Sequence, residues 1–189
     1  MELFGITGHR KAGGKELVTK DDLWHLGSNT KSMTAVLAGK LVDEGRIKWI
    51  TTVGEMFPEL RGDIKDAWKG VTLEQLLHHR SGAPGSPPSD LWAAAWQRKG
   101  SEMAQRKAFV SGLLEREPEA PPGTKKIYSN SGYAIAGVML ERAGRAPWEK
   151  LMKEKVFNPL GLKSAGFGAP GKPGKVNHPW GHEGSEPPY

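Results

Sequence analysis

Ser28 and Lys31 stand three residues apart in a stretch that reads as the first turn of a helix, which puts a hydroxyl and an amine on one face. That pairing has a chemical use. A serine hydroxyl is a weak nucleophile at neutral pH and needs a base beside it, and a lysine partly withdrawn from water gives up its proton readily enough to serve. A serine at a helix N-terminus also sets its own backbone N–H, with the positive end of the helix dipole, where an oxyanion would develop. The arrangement suits acyl transfer. Spacing alone is weak support, because 11 serines and 18 lysines among 189 residues give about one S-x-x-K match by chance. The alternative is a Ser28 that merely caps the helix and a Lys31 in solvent.

Tyr128-Ser129-Asn130 is the rarer pattern, since three tyrosines and four asparagines give only about 0.06 Y-x-N matches by chance. A phenol held near a serine and an ammonium group can have its pKa lowered and act as base or proton shuttle. An asparagine amide can bind both a substrate carbonyl and a lysine side chain. The alternative is a loop tyrosine packed into the core, with Asn130 supporting a turn.

The elements that would carry these residues are mostly helical. From Ser28 to Glu44 the residues Met33, Leu37 and Leu41, joined by Ala38 and Val42, recur at helical spacing, and Gly45 is a natural stop. Thr72-Leu73-Glu74-Gln75 has the form of a capping box and opens a short helix ending near Gly82. Leu91 to Trp96 and Met103 to Glu115 predict two more helices. The run Tyr133 to Leu140 is apolar on every side and predicts an interior helix. Pro147 suits a first helical position, and Trp148, Leu151, Met152 and Val156 follow at amphipathic spacing until Asn158-Pro159. Gly13-Gly14 predicts a hairpin turn between two short strands. From Gly166 onward, six glycines and five prolines in 24 residues predict an extended tail. The expected organisation is one domain over 1–165 and a tail or loop over 166–189.

Composition narrows the function classes. The formal charge of +6 is spread along the chain among 21 acidic residues, as in Lys153 and Lys155 around Glu154, which reads as a solvated surface rather than a nucleic-acid interface. With no cysteine there is neither a disulfide framework nor a thiolate metal site. No apolar run approaches the roughly 20 residues of a membrane span. Met1 to Gly5 lack the features of a signal peptide, so the chain as written is expected in the cytoplasm, or in the periplasm or medium if an export segment precedes it.

Other candidates are weaker. His178 and His182 are four apart, but Pro179 and Gly181 oppose a helix there, so no metal pair is expected. His78 and His79 read as the polar end of a helix. Trp92 and Trp96, at i and i+4, predict core packing, with a substrate-cleft wall as the alternative. Gly5, Gly8, Gly13 and Gly14 match no phosphate-binding pattern.

The run Leu26-Gly27-Ser28-Asn29-Thr30-Lys31-Ser32-Met33-Thr34-Ala35 resembles the S-x-x-K segment of class C β-lactamase-like serine hydrolases, a group of β-lactamases, D-alanyl-D-alanine carboxypeptidases and esterases. The flanks agree. Val71 to Gly82 resembles the family's stretch leading to a Ser-Gly turn, and Pro122-Gly123-Thr124 before Tyr128-Ser129-Asn130-Ser131-Gly132-Tyr133 resembles its second motif. Phe157-Asn158-Pro159-Leu160-Gly161-Leu162 resembles its following helix end. The resemblance, from about Gly8 to Gly168, implies that Ser28 is acylated, that Lys31 and Tyr128 share the proton transfers, and that Asn130 holds the acyl side of the substrate.

One departure stands out. The family's third motif, Lys or His followed by Thr or Ser and Gly, has no counterpart after Asn130; Trp180-Gly181-His182 and His182-Glu183-Gly184 do not match its form. In the family that strand supplies the second oxyanion N–H, and losing one such donor typically costs about 10²–10³ in rate.

The expected fold is mainly α with a small antiparallel β portion, part of the α/β-plus-helical serine β-lactamase and penicillin-binding-protein-like fold. The expected activity is serine hydrolysis of an ester, a β-lactam or a D-amino-acid amide through an acyl-enzyme. Catalysis is assigned to Ser28, Lys31 and Tyr128, and substrate binding to Asn130, with no metal and no organic cofactor. The expected partner is a small-molecule substrate, with no nucleic acid and no membrane span; a homo-oligomer or an exchanged element would cover the incomplete sheet. The alternative is a catalytically idle fragment or binding module of the same family.

Overall fold

The computed structural model describes residues 5–60 and 62–182. They form two compact units, one of the residues up to Thr30 together with those from Leu162 on, the other of Lys31–Gly161.

In the first unit the chain does turn back at Gly13, whose φ of +69° is open to glycine at little cost. The expected strands are absent, however. Arg10 N–H donates to the Glu16 carbonyl at 2.8 Å and Val18 N–H to that of Gly8 at 3.0 Å, but the pairing amounts to one antiparallel bridge, His9 with Leu17. A two-stranded ribbon without an apolar face is marginal, and here the chain is tied by charge instead. Arg10 Nε donates to Asp22 Oδ2 at 3.0 Å, its second nitrogen reaches Oδ1, and this bidentate grip holds the Asp22 carboxyl down to about 2. The residues from Leu162 to His182 are loop, and Trp180 N–H donates to the Arg10 carbonyl at 2.8 Å.

The second unit is helical: α1 (Thr30–Asp43), α2 (Val53–Met56), α3 (Asp66–Lys69), α4 (Leu73–Leu77), α5 (Ser89–Trp96), α6 (Glu102–Leu114), α7 (Asn130–Gly144) and α8 (Trp148–Met152), the last running on as a single π-helical turn, Lys153–Phe157. Helix α7 is central and packs on α2, α4, α6 and α8. Its run of Ile135, Ala136, Val138, Met139 and Leu140 is buried, as apolar residues on every side require. Its C-terminal half is fixed by charge. The Glu141 carboxylate, 3% exposed, accepts from Arg106 of α6 at 2.9 Å and from the Trp148 N–H at 2.9 Å, and Arg106 also reaches Glu149.

Two capping boxes, Thr52 with Glu55 and Thr72 with Gln75, open α2 and α4. The same two threonines form the remaining antiparallel bridge among the described residues. Pairing stops there because each strand-like residue is already the cap of a helix. Pro147 is the cap of α8 rather than its first helical residue.

Candidate active site

Helix α7 starts at Asn130, and the residue before it decides how that end is held. Ser129, 1% exposed, caps the helix: its Oγ accepts from the Gly132 N–H at 3.0 Å and donates to the Pro84 carbonyl at 2.6 Å. The Pro84 side of this clamp rests on a turn that only glycine fits. Gly82 has φ +77°, and a Cβ there would lie 2.1 Å from the Ala120 carbonyl oxygen. Gly82 and Arg80 accept from the Glu119 and Gly123 N–H groups at 2.9 and 2.7 Å. The Ser81-Gly82 turn and the segment leading to Tyr128 are thus laced together.

His79 is the residue that sequence reasoning missed. It is not the polar end of α4 but a left-handed residue, φ +59°, beyond it. Its ring lies between two tyrosines, with centroids 4.6 Å from Tyr128 and 5.1 Å from Tyr133. Nδ1 accepts the Ser129 N–H at 3.1 Å, which puts the proton of the neutral imidazole on Nε2. Burial, with Lys31 and Lys126 nearby, pushes the His79 pKa below its ordinary value. A doubled histidine before Arg-Ser-Gly was the only signal available.

Against this wall sits Lys31, in the first turn of α1. Its ammonium donates to Asn130 Oδ1 at 2.6 Å and lies 4.6 Å from the centre of the Tyr128 ring and 5.6 Å from that of Tyr133. The two tyrosines differ. Tyr133 donates its hydroxyl to the Leu77 carbonyl at 3.0 Å, and burial and the neighbouring Tyr128 raise its pKa, so it stays a neutral donor. Tyr128 is 53% exposed. Three of the four sequence-predicted site residues, Lys31, Tyr128 and Asn130, therefore converge in the second unit. Ser28 is placed in the first unit, exposed, on the 3-10 turn Gly27–Asn29, whose carbonyls at Gly27 and Ser28 accept from the Thr30 N–H. Lys31 follows three residues later.

An amine and a phenol held this close are groups that can carry a proton between them. Residues 2–188 match the family model described as Beta-lactamase. The chain belongs to the beta-lactamase family. Among curated relatives it is 31% identical over 154 residues to penicillin-binding protein 4 of Amycolatopsis lactamdurans, covering 82% of this chain and 38% of that one. It is 28% identical to a beta-lactamase of Escherichia coli, covering 93% and 42%. Among solved structures, the octameric penicillin-binding protein homologue from Pyrococcus abyssi shares 26% identity with a TM-score of 0.64, over 82% of this chain and 35% of that one. A D-stereospecific amidohydrolase from a Streptomyces species shares 26% with a TM-score of 0.60, over 77% and 44%. The chain thus spans about two-fifths of the length of the beta-lactamase-family relatives it matches.

The other candidates have structural duties. Within the first unit, His178 Nδ1 accepts from the Leu23 N–H at 3.2 Å and His182 Nε2 from the Ala12 N–H at 2.8 Å. Of the two segments weighed as a third motif, Trp180-Gly181-His182 is loop, and Glu183-Gly184 lies outside the described residues. Trp92 and Trp96 are 47% and 61% exposed, stacked edge to face at 5.9 Å, so the expected core packing gives way to an open aromatic wall. No described helix is long and apolar enough to cross a membrane.

Proposed function

We propose that the chain carries the acylating site of a serine hydrolase, with Ser28 as nucleophile. The observation that supports this most is the 2.6 Å bond from the Lys31 ammonium to Asn130 Oδ1, which joins two motifs 99 residues apart, with the Tyr128 ring against the same amine. In the first half-reaction the Ser28 oxygen bonds to the substrate carbonyl carbon and the scissile C–N or C–O bond breaks. The serine proton passes through Lys31 and Tyr128 to the leaving nitrogen or oxygen. Water then attacks the ester, its proton returning to Ser28 by the same groups. Asn130 holds the acyl side of the substrate and fixes the lysine. His79 is a positioning residue: it acts through the Ser129 N–H and the Tyr128 ring.

The substrate class is an ester, a β-lactam or a D-amino-acid amide, consistent with relatives named beta-lactamase and D-stereospecific amidohydrolase. The test is covalent labelling by a fluorescent penicillin and by a fluorophosphonate, with Ser28→Ala as control. Labelling of the parent chain alone supports the proposal; labelling of neither leaves an idle member of the family. Self-association is also proposed, in keeping with the octameric homologue, and a single monomeric species in sedimentation would oppose it.

A further inference from the structure

At the C-terminal end of α7 the second unit holds a cavity of about 330 Å³. Its apolar walls are Phe57 just beyond α2, Met103 of α6, Val138 of α7, and Ala146 and Pro147 in the turn before α8. Glu141, which also lines it, stands about 16 Å along α7 from Asn130, so the cavity is separate from the site built on Lys31. An apolar cavity of about 150 Å³ already admits benzene, so this one has room for a two-ring aromatic with a short substituent.

The polar groups divide by depth. On the inner side the Glu141 carboxylate is 3% exposed and takes both its donors, Arg106 and the Trp148 N–H, on Oε1. Oε2 has no hydrogen bond among the described residues, although almost all buried acceptors in native proteins are satisfied. Glu141 and Glu149 also share the single charge of Arg106, so this side is short of donors and of positive charge. The rim is the reverse. Lys107 and Arg142 both pair with Glu59, at 3.8 and 2.6 Å, and Arg145 adds a third cation that makes no ion pair among the described residues. Arg145 is also left-handed, φ +55°, at a helix end where glycine or asparagine would serve the turn better. An arginine kept there points to a use for its side chain at the rim.

We propose that this cavity binds a small aromatic carboxylate carrying one ring N–H. The ring packs against Phe57, Met103 and Val138, the N–H donates to Glu141 Oε2, and the carboxylate meets Arg145. A ligand with an ammonium group in place of the carboxylate would face three rim cations against one acid, so the order of charges selects an anion.

The experiment is methionine- and alanine-methyl NMR on the full chain, with indole-3-acetate, 1-naphthaleneacetate and tryptamine as probes. Indole-3-acetate shifts the Met103 and Ala146 methyls saturably and leaves that of the buried Met152 in place. 1-Naphthaleneacetate, matched in shape but without the N–H, binds about tenfold more weakly, the worth of one hydrogen bond to a charged acceptor. Tryptamine binds more weakly than either. Arg145→Asn suits the left-handed turn and keeps the fold, yet weakens indole-3-acetate about threefold, as an exposed ion pair allows, and does not weaken tryptamine. Ala146→Leu fills the space and abolishes the Met103 response, with an unshifted Met152 methyl reporting that each variant is folded. Silent Met103 and Ala146 methyls, or undiminished binding in Ala146→Leu, overturn the cavity. Equal affinity for indole-3-acetate and 1-naphthaleneacetate overturns the Glu141 contact. Tryptamine binding as tightly as indole-3-acetate, or unchanged affinity in Arg145→Asn, overturns the choice of an anion. No readout depends on turnover or on Ser28, so the outcome is independent of the labelling test above.

Discussion

Replacing Gly82 by alanine tests the claim that one tight turn sets the start of α7. The residue has φ +77°, and the added Cβ would meet the Ala120 carbonyl oxygen at 2.1 Å, far inside contact distance. A left-handed alanine costs about 1–2 kcal/mol, and the backbone shift that relieves the overlap adds about 1–3 kcal/mol. The expected loss is therefore about 3 kcal/mol. In a chain of 189 residues, each kcal/mol moves Tm by roughly 2–4 °C, so the melt should fall by about 6–12 °C. Gly70→Ala is the internal control: its Cβ meets nothing within 4 Å and its φ is −91°, so reduced freedom of the unfolded chain should leave Tm unchanged or slightly higher. Both are read by circular dichroism on heating, together with Ser28 labelling well below the melt. Labelling should drop in Gly82→Ala, because the shifted turn moves the Pro84 carbonyl that anchors Ser129. Equal melts for the two variants would refute the reasoning.

Three further outcomes follow from the charges and rings. Arg106→Met leaves Glu141, 3% exposed, as an unpaired buried charge and should cost about 3–5 kcal/mol in chemical denaturation, with Arg106→Met/Glu141→Met recovering most of it; equal losses in the single and double variants would contradict this. His79 has a folded pKa below its unfolded value near 6.5, so its contribution is complete above about pH 6.5 and is lost as pH falls below it. Denaturation midpoints of the parent should decline over that range more steeply than those of His79→Asn, and parallel profiles would oppose the assignment. The Asp22 carboxyl, held at about 2, stabilises its own unit above about pH 4, and this contribution is lost as pH falls toward 2; a carboxyl carbon titration with a midpoint near 4 would contradict the bidentate pair.

The helices that carry the site were legible because their signals are local. Apolar spacing gave α1 and α7, the Thr72 and Gln75 pair gave the start of α4, and prolines and glycines marked most ends. What the sequence hid depends on distant partners. His79 is left-handed because the Ser129 N–H and two rings, about 50 residues away, hold it there. Trp92 and Trp96 have the spacing of core residues, and only the packing of α5 on α6 shows that their face is open. The predicted hairpin strands failed for the opposite reason: the turn is local, but strands need an apolar face to pack, and the residues around Gly13 offer none. Chance spacing left Ser28 and Lys31 ambiguous, whereas the bond from Lys31 to Asn130 could not be read from either motif by itself.

The backbone of Ser129 is extended, with φ −138° and ψ 123°, and successive side chains in extended chain leave on opposite sides. Tyr128 and Asn130 therefore face outward together, while the residue separating them is turned into the protein. The unspecified letter in Y-x-N is, in this molecule, the rivet. A larger or hydroxyl-free side chain there would leave both named residues intact and still spoil their aim. Variation at that one position is thus a lever for detuning the proposed site without altering either residue assigned to it.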